Sequence, residues 1–311
     1  MISYSHISSV KYYLDSSRKP DRQMGYYADA TGEPPGRWWS PAGWQAQDGA
    51  LVDPLALERL AGYRDIQTGR TLPGQRASDA RVATDYSFST PKALSALWAV
   101  SDDEGRAKIE ALVEDSVRSA MTIIHEKGWI EARRGKGGKK REAVAAPVAA
   151  IFMHHTSREG DPQLHAHVVL MNAAMRADGS IGAVNNEQIL EARNLIDAVY
   201  THGLARRLEA LGVQVEPSPE NGFRIVGQPD DLIDMWSKRR QQIVAAAAER
   251  GIETKDDAEQ ARVLAMQTRG RKADVQDISQ LEARWIDERW GFDRDLMLSM
   301  MTGTAEVKKK I

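Results

Sequence analysis

The chain has no cysteine among its 311 residues. Disulfides and thiolate metal sites are therefore excluded, and nothing points to an oxidising compartment. No apolar run reaches membrane-span length, and the start, MISYSHISSVKYY, lacks the basic residues and apolar stretch of a secretory leader. Neither charge sign dominates: 42 Lys and Arg face 44 Asp and Glu, for a net charge of −2. That argues against a polyanion binder driven by bulk charge and leaves only local basic clusters to consider. There is no internal repeat, and the phosphate-cradling pattern Gly-x-x-x-x-Gly-Lys-Ser/Thr is missing, so no ATPase site is evident. The expectation is a soluble, cytoplasmic, globular protein, long enough for one large or two modest domains.

What is present centres on three histidines. His154, His165 and His167 stand eleven and then two residues apart in HHTSREGDPQLHAHVVLMN. Leu164 to Leu170 alternates with period two, the pattern of a half-buried strand. Residues i and i+2 of a strand share a face, so His165 and His167 project together while Leu164, Ala166, Val168 and Leu170 face a core. His154 ends an earlier apolar run, Val144 to Met153, which also reads as a strand, and the turn-forming Ser157 to Pro162 lets the chain double back. Three neutral imidazoles brought to one point suit a divalent metal with open coordination positions. His155 points the opposite way on an extended chain and is left outside the triad.

The rest of the chain reads as α+β followed by helices. A strand spans about Ile2 to Val10. Another, Ala83 to Phe88, runs into a helix with Thr90 as cap and Pro91 at the first helical position. A helix from Glu104 to Lys127 carries an apolar stripe and stops at Gly128. Asp178-Gly179 marks a turn, a helix covers Ala192 to Leu211 before Gly212, and a hairpin covers Val213 to Val226. Beyond Pro229 come three helices, Asp230 to Glu249, Lys255 to Arg269 and Asp277 to Trp290, with basic pieces Lys238-Arg239-Arg240 and Arg269-Gly270-Arg271-Lys272. The boundaries are 1–228 for the α+β core and 229–311 for the helical part. Arg133 to Arg141 holds six basic residues in nine on a glycine-rich hairpin, read either as a nucleic-acid contact or as a solvated loop. Trp38, Trp39 and Trp44 either stack on unpaired bases or close a small core.

Five of the eight tyrosines fall in the first 27 residues, including the pairs Tyr12-Tyr13 and Tyr26-Tyr27. A phenol, with a pKa of about 10, attacks phosphorus poorly without a base or a metal field. A divalent ion held by three neutral imidazoles keeps its full charge and can stabilise a phosphorane-like transition state. Attack on a phosphodiester would form a phosphotyrosine bond of similar energy, so rejoining needs no ATP.

At this point the motifs resemble a known family. Asp85-Tyr86-Ser87-Phe88-Ser89-Thr90-Pro91-Lys92-Ala93-Leu94-Ser95, the segment His154 to His167, and the doubled tyrosines are similar, in order, to the motifs of MobF-class conjugative relaxases, which belong to the HUH endonucleases. That resemblance implies an antiparallel sheet flanked by helices, with C-terminal helices as fingers over bound DNA. It implies strand-specific nicking at a plasmid origin of transfer, leaving a 5′-phosphotyrosine and a free 3′-hydroxyl. Tyr12 corresponds to the initial nucleophile and Tyr26 to the one for the second strand transfer, with Tyr13 and Tyr27 as their neighbours. Asp85 would either take the tyrosine proton or hydrogen-bond the far nitrogen of a metal-bound histidine. The metal would be Mg or Mn in function, with Zn or Ni also able to occupy the histidines. DNA contacts would come from Lys92, Arg133, Arg134, Lys136, Lys139, Lys140 and Arg141, and the partners would be origin DNA with conjugation accessory and coupling proteins. Family members commonly continue into a helicase, so the chain is expected to be the N-terminal part of a longer protein. It departs from the pattern in the long gap between tyrosine pairs, in His155 where an acidic residue is common, and in Val82-Ala83 where Pro-Gly is usual. The alternatives are a rolling-circle replication initiator of the HUH type and a non-enzymatic origin-binding module with a structural metal.

Overall fold

The computed structural model describes residues 2–15, 34–74, 80–135, 138–218, 222–251, 263–264, 267–268 and 278–288. Its centre is an antiparallel sheet of five strands: β1 (Ile2–Ile7), β2 (Arg37–Trp39), β3 (Ala83–Ser89), β6 (Ala149–Thr156) and β7 (Pro162–Met171), in the order β1-β3-β7-β6-β2. Between β3 and β6 the chain makes helices α3 (Lys92–Val100) and α4 (Asp103–Glu126) and the basic hairpin of β4 (Glu131–Arg134) and β5 (Lys140–Ala143). The short strands β8 (Ala174–Met175), β9 (Ile181–Gly182) and β10 (Val184–Asn185) follow β7. Then come α5 (Glu187–Glu191), α6 (Arg193–Ala210), the hairpin β11 (Val215–Ser218) and β12 (Gly222–Ile225), α7 (Asp230–Met235), α8 (Lys238–Ala248) and a last helix, Ile278–Glu288. This is the α+β fold with an antiparallel sheet that the motifs imply.

Period-two patterning divides the sheet between two cores. On one face Tyr86, Phe88, Ile151, Met153, Leu164, Ala166 and Val168 meet the apolar sides of α3, α4 and α6. On the other, Trp38, Ala150, Phe152, Val169 and Met171 are covered by α1 (Lys11–Asp15) and α2 (Pro54–Ala61). This second cover ends partway along β7, so His165 and His167 are half-buried while Val168 to Met171 are buried on both faces. Leu232 and Trp236 of α7 and its exit, with Leu281 and Trp285 of the last helix, join the first core.

Several boundaries differ from the sequence reading, each for a local reason. The strand expected over Val144–Met153 begins at Ala149 and runs past His154 to Thr156. Pro147 cannot donate to a ladder, and the amides of Ala145 and Ala146 turn to the Met175 carbonyl instead. The N-terminal strand stops at Ile7, and Tyr12 and Tyr13 lie in the short helix α1. Thr90 does not cap α3: its hydroxyl bonds the Leu164 carbonyl and Ser95 Oγ, both at 2.9 Å, and extended Pro91 precedes the helix. The helix expected over Asp230–Glu249 is broken at Trp236-Ser237. Of the helix expected over Lys255–Arg269, the described residues Val263, Leu264 and Gln267 are helical and the rest lies outside the described residues, as does the tail from Thr302.

Other expectations hold closely. α4 stops where Gly128 leaves it at φ +69°, a left-handed conformation that glycine takes without steric cost; Asp102, which the sequence reading did not single out, caps its start. Asp178-Gly179 makes the β8–β9 turn, with Asp178 Oδ1 accepting from the Ser180 amide. Among the described residues no helix is long and apolar enough to cross a membrane.

Phe88 is 1% exposed and meets the Tyr200 ring edge-on at 5.2 Å. Phe88→Ala should cost about 3–5 kcal/mol of stability, read by urea denaturation; a loss below about 1 kcal/mol would mean the site collapses around the cavity.

Candidate functional site

The register of β6 against β7 places His154 directly opposite His165, and Phe152 opposite His167. His154, His165 and His167 each offer a ring nitrogen, and these lie within 4.8 Å of one another. Their ring centroids stand 4.7–5.4 Å apart. Small ring rotations suffice to bring three such nitrogens onto one ion, whose bonds to imidazole are about 2.0–2.1 Å.

Hydrogen bonds decide which nitrogen each ring presents. His165 Nδ1 lies 2.8 Å from the Gln163 carbonyl, and His167 Nδ1 lies 2.9 Å from both oxygens of Asp85. A carbonyl and a carboxylate only accept, so Nδ1 carries the proton in both rings and Nε2 keeps its lone pair. Burial first, and the neighbouring His167 second, push the His165 pKa down to about 4. The imidazole therefore stays neutral at physiological pH, the form a metal requires. Donor type, spacing and tautomer all fit a divalent metal. His155 points the other way, as its position on an extended strand requires. It stacks on Trp98 at 4.6 Å, with Nε2 3.1 Å from Glu110.

The two described tyrosines of the N-terminal pairs differ sharply. Tyr13 is buried, stacks on Phe152 at 4.9 Å, and donates its hydroxyl to Asp85 Oδ2 at 2.8 Å. Burial, followed by the Asp85 charge, raises its pKa far above the ordinary phenol value, so its phenolate is hard to form. Tyr12 is 47% exposed, and its ring meets that of His154 edge-on at 6.1 Å. Asp85 thus sits between Tyr13 and His167, both oxygens engaged. Tyr26 and Tyr27 lie outside the described residues, as does Lys136.

A profile of the TrwC relaxase family matches residues 7–290. The chain belongs to that family. The multifunctional conjugation protein TraI of Escherichia coli is 26% identical over 94% of the chain, and a second TraI, from strain K12, is 25% identical over 68%. The chain spans only 16% and 12% of those two proteins. Among solved structures, the conjugative relaxase TrwC with oriT DNA in a metal-bound form gives a TM-score of 0.77 at 26% identity, covering 94% of this chain and all of that one. A copper-bound form gives the same figures. TrwC with a 27-mer comprising the recognition hairpin and cleavage site gives 0.75 at 27% identity, with the same coverage. The MobF resemblance read from the motifs is thereby met, and the chain is a relaxase in fold and family.

The remaining sequence candidates of this relaxase are distributed unevenly. Trp38 and Trp39 are each 2% exposed and point into opposite cores, and Trp44 is half-buried beside them. Of the two readings, Trp38 and Trp39 follow the second and close cores, while Trp44 packs partly buried against the second core. Lys92 is half-buried with Nζ 2.7 Å from the Pro162 carbonyl, and burial lowers its pKa to about 8. Its ammonium serves the turn between the histidine strands. On the hairpin, Arg133 and Arg141 pair with Glu187 at 3.6 and 2.6 Å, and Arg134 pairs with Glu142 and Asp178. Lys139 and Lys140 are exposed beside them. The sequence reading missed Phe152, whose only signal is its place two residues before His154, on the same face.

Asp85→Asn would let the amide donate where Nδ1–H of His167 needs an acceptor. Metal affinity should fall about 10–100-fold, read by titrating Mn or Ni into the folded protein; unchanged affinity would detach Asp85 from the metal centre.

Proposed function

We propose that this chain nicks and rejoins one strand of DNA at an origin of transfer, with Tyr12 as the initial nucleophile and His154, His165 and His167 as metal ligands. The observation that carries the assignment is the division of labour at Asp85: Tyr13 is held there by its hydroxyl, and the adjacent Tyr12 is left on the open side beside His154. The DNA assignment is by analogy with TrwC, whose solved complexes contain oriT DNA.

In this reading the Tyr12 Oη attacks the scissile phosphorus, and the bond from phosphorus to the 3′ oxygen breaks. The 5′-phosphate remains on tyrosine and the leaving 3′ oxygen takes up a proton. A bound divalent ion would supply the positive charge that stabilises the developing negative charge on the phosphate oxygens. Asp85 holds His167 in its Nδ1–H tautomer and anchors Tyr13. The phenolic proton of exposed Tyr12 leaves to water. Reversal by the 3′-hydroxyl reseals the strand. Tyr26 is proposed for the second transfer, and Mg or Mn as the working metal.

The basic hairpin Arg133–Arg141 is proposed to contact DNA through Lys139, Lys140 and the outer sides of Arg133, Arg134 and Arg141. Its arginines bring acidic partners with them, so it would orient DNA more than it would bind by bulk charge. Residues 1–228 would form the catalytic core and 229–311 the fingers. The protein is proposed to work in the cytoplasm with accessory and coupling proteins of conjugation.

Incubating the protein with single-stranded origin oligonucleotides and Mg or Mn, then running a denaturing gel, tests the reading. A covalent band should form, vanish with EDTA, and vanish in Tyr12→Phe and His165→Ala, while DNA binding largely persists. Binding without a band under any metal would favour an origin-binding module. Unfolding of His165→Ala would make the metal structural.

A further inference from the structure

The turn that joins the two histidine strands is held from three directions. Within itself it is short and polar: the Ser157 amide donates to the Asp161 carbonyl, and Ser157 Oγ accepts from the Asp161 amide. Lys92 at the start of α3 donates to the Pro162 carbonyl. From the last helix, Arg284 and Trp285 Nε1 both donate to the Gly160 carbonyl. The third hold runs through the Asp161 side chain, which is only 1% exposed.

Asp161 does for α8 what the local sequence does not. Ser237 stands at the N-cap of α8, a position where serine normally bonds the helix's open amides. Here its hydroxyl turns back to the Ile233 carbonyl at 2.6 Å and makes no capping bond. The Lys238 amide is instead taken by Asp161 Oδ2 at 3.0 Å, from 77 residues away. A carboxylate at this end of a helix also gains from the helix dipole. Asp161 Oδ1 lies 3.2 Å from Lys238 Nζ and 3.8 Å from Arg284. Those two cations share Glu288, at 3.0 and 3.3 Å. Trp236 Nε1 donates to the same Glu288 at 2.8 Å.

The ionic cluster spans α8, the last helix and the histidine turn. A buried carboxylate costs free energy unless its partners are in place, so this turn has one favourable arrangement. His165 follows Asp161 by four residues and His154 precedes it by seven, and the ladder shifts register between His154 and Thr156. The ladder pairs His154 with His165 and loses its register just beyond them, so the contacts of the turn set how the two strand ends that carry these histidines meet.

We infer that Asp161 is a positioning residue of the metal centre: by capping α8 in trans and closing on Lys238 and Arg284, it couples the C-terminal helices to the spacing of His154 and His165. The inference rests on reading the three histidines as metal ligands and is independent of the DNA chemistry. Coupling is reciprocal. Metal bound at the histidines should steady the start of α8, and disturbing that helix end should weaken metal binding.

The test uses the full chain, Asp161→Asn and, in case that variant does not fold, Lys238→Gln, which keeps the backbone donor. Circular dichroism first establishes that each is folded. Co2+ titration is followed by visible absorption, and hydrogen exchange of peptides covering 238–248 is measured with and without Zn2+. Wild type should bind Co2+ and show slowed exchange at the α8 start on adding Zn2+. Asp161→Asn should bind Co2+ about tenfold more weakly, the low end of the range for outer-shell partners. It should have an altered absorption band and lose the Zn2+-dependent protection. Lys238→Gln should move the same way by a smaller factor. Wild-type affinity and an unchanged band in a folded variant would make Asp161 merely structural and overturn the inference. Failure of wild type to bind Co2+, Zn2+ or Mn2+ would overturn the metal reading itself, and this inference with it.

Discussion

One carboxylate sets the arrangement of the site. Asp85 receives the Tyr13 hydroxyl on one oxygen and spreads the other side of its charge over His167 Nδ1. Without it, His167 has no reason to present Nε2 rather than Nδ1, and α1 loses the bond that ties the Tyr13 hydroxyl to the sheet. The two effects are linked because both partners need the ionised acceptor. Burying that charge is tolerable only because both hydrogen bonds are made. Phe152 completes the setting by giving the Tyr13 ring a flat surface to pack on. Adjacent tyrosines in a helix face about 100° apart, so fixing Tyr13 inward turns Tyr12 toward the open side.

The sheet makes this possible by being covered unequally. α3, α4 and α6 close one face along its length, while α1 and α2 close the other only up to Phe152 and Val169. The uncovered end carries the histidines. A metal held by ligands on two adjacent antiparallel strands would sit on a rigid floor, the placement that best preserves ligand geometry. The turn beyond it is held by contacts from Lys92, Trp285, Arg284 and Lys238.

The strongly patterned parts of this architecture were legible in the sequence. His165-Ala166-His167 within alternating apolar residues could belong only to a strand face, and the Asp178-Gly179 turn and the α4 stripe were similarly plain. The division between Tyr12 and Tyr13 was not legible, since Lys11–Asp15 is too short to show a helical period. The tryptophans looked available to stack on bases because nothing local reveals that β2 is sandwiched between two cores. The hairpin looked strongly basic because its neutralising partners Asp178 and Glu187 lie some forty residues or more downstream. Thr90 fitted a cap by type, yet a carbonyl 74 residues away competes for its hydroxyl. In each miss a long-range partner outweighed the local rule.

In the proposed arrangement Asp85 assigns Tyr13 to anchoring and leaves Tyr12 for chemistry. The most direct measurement is mass spectrometry of the covalent adduct: trap the protein on its cleaved strand, digest both protein and DNA, and sequence the nucleotide-bearing peptide. The phosphonucleotide should be found on Tyr12, with Tyr13 unmodified. An adduct on Tyr13 would mean that its hydroxyl leaves Asp85 to attack, and that Asp85 does not divide the two tyrosines in this way.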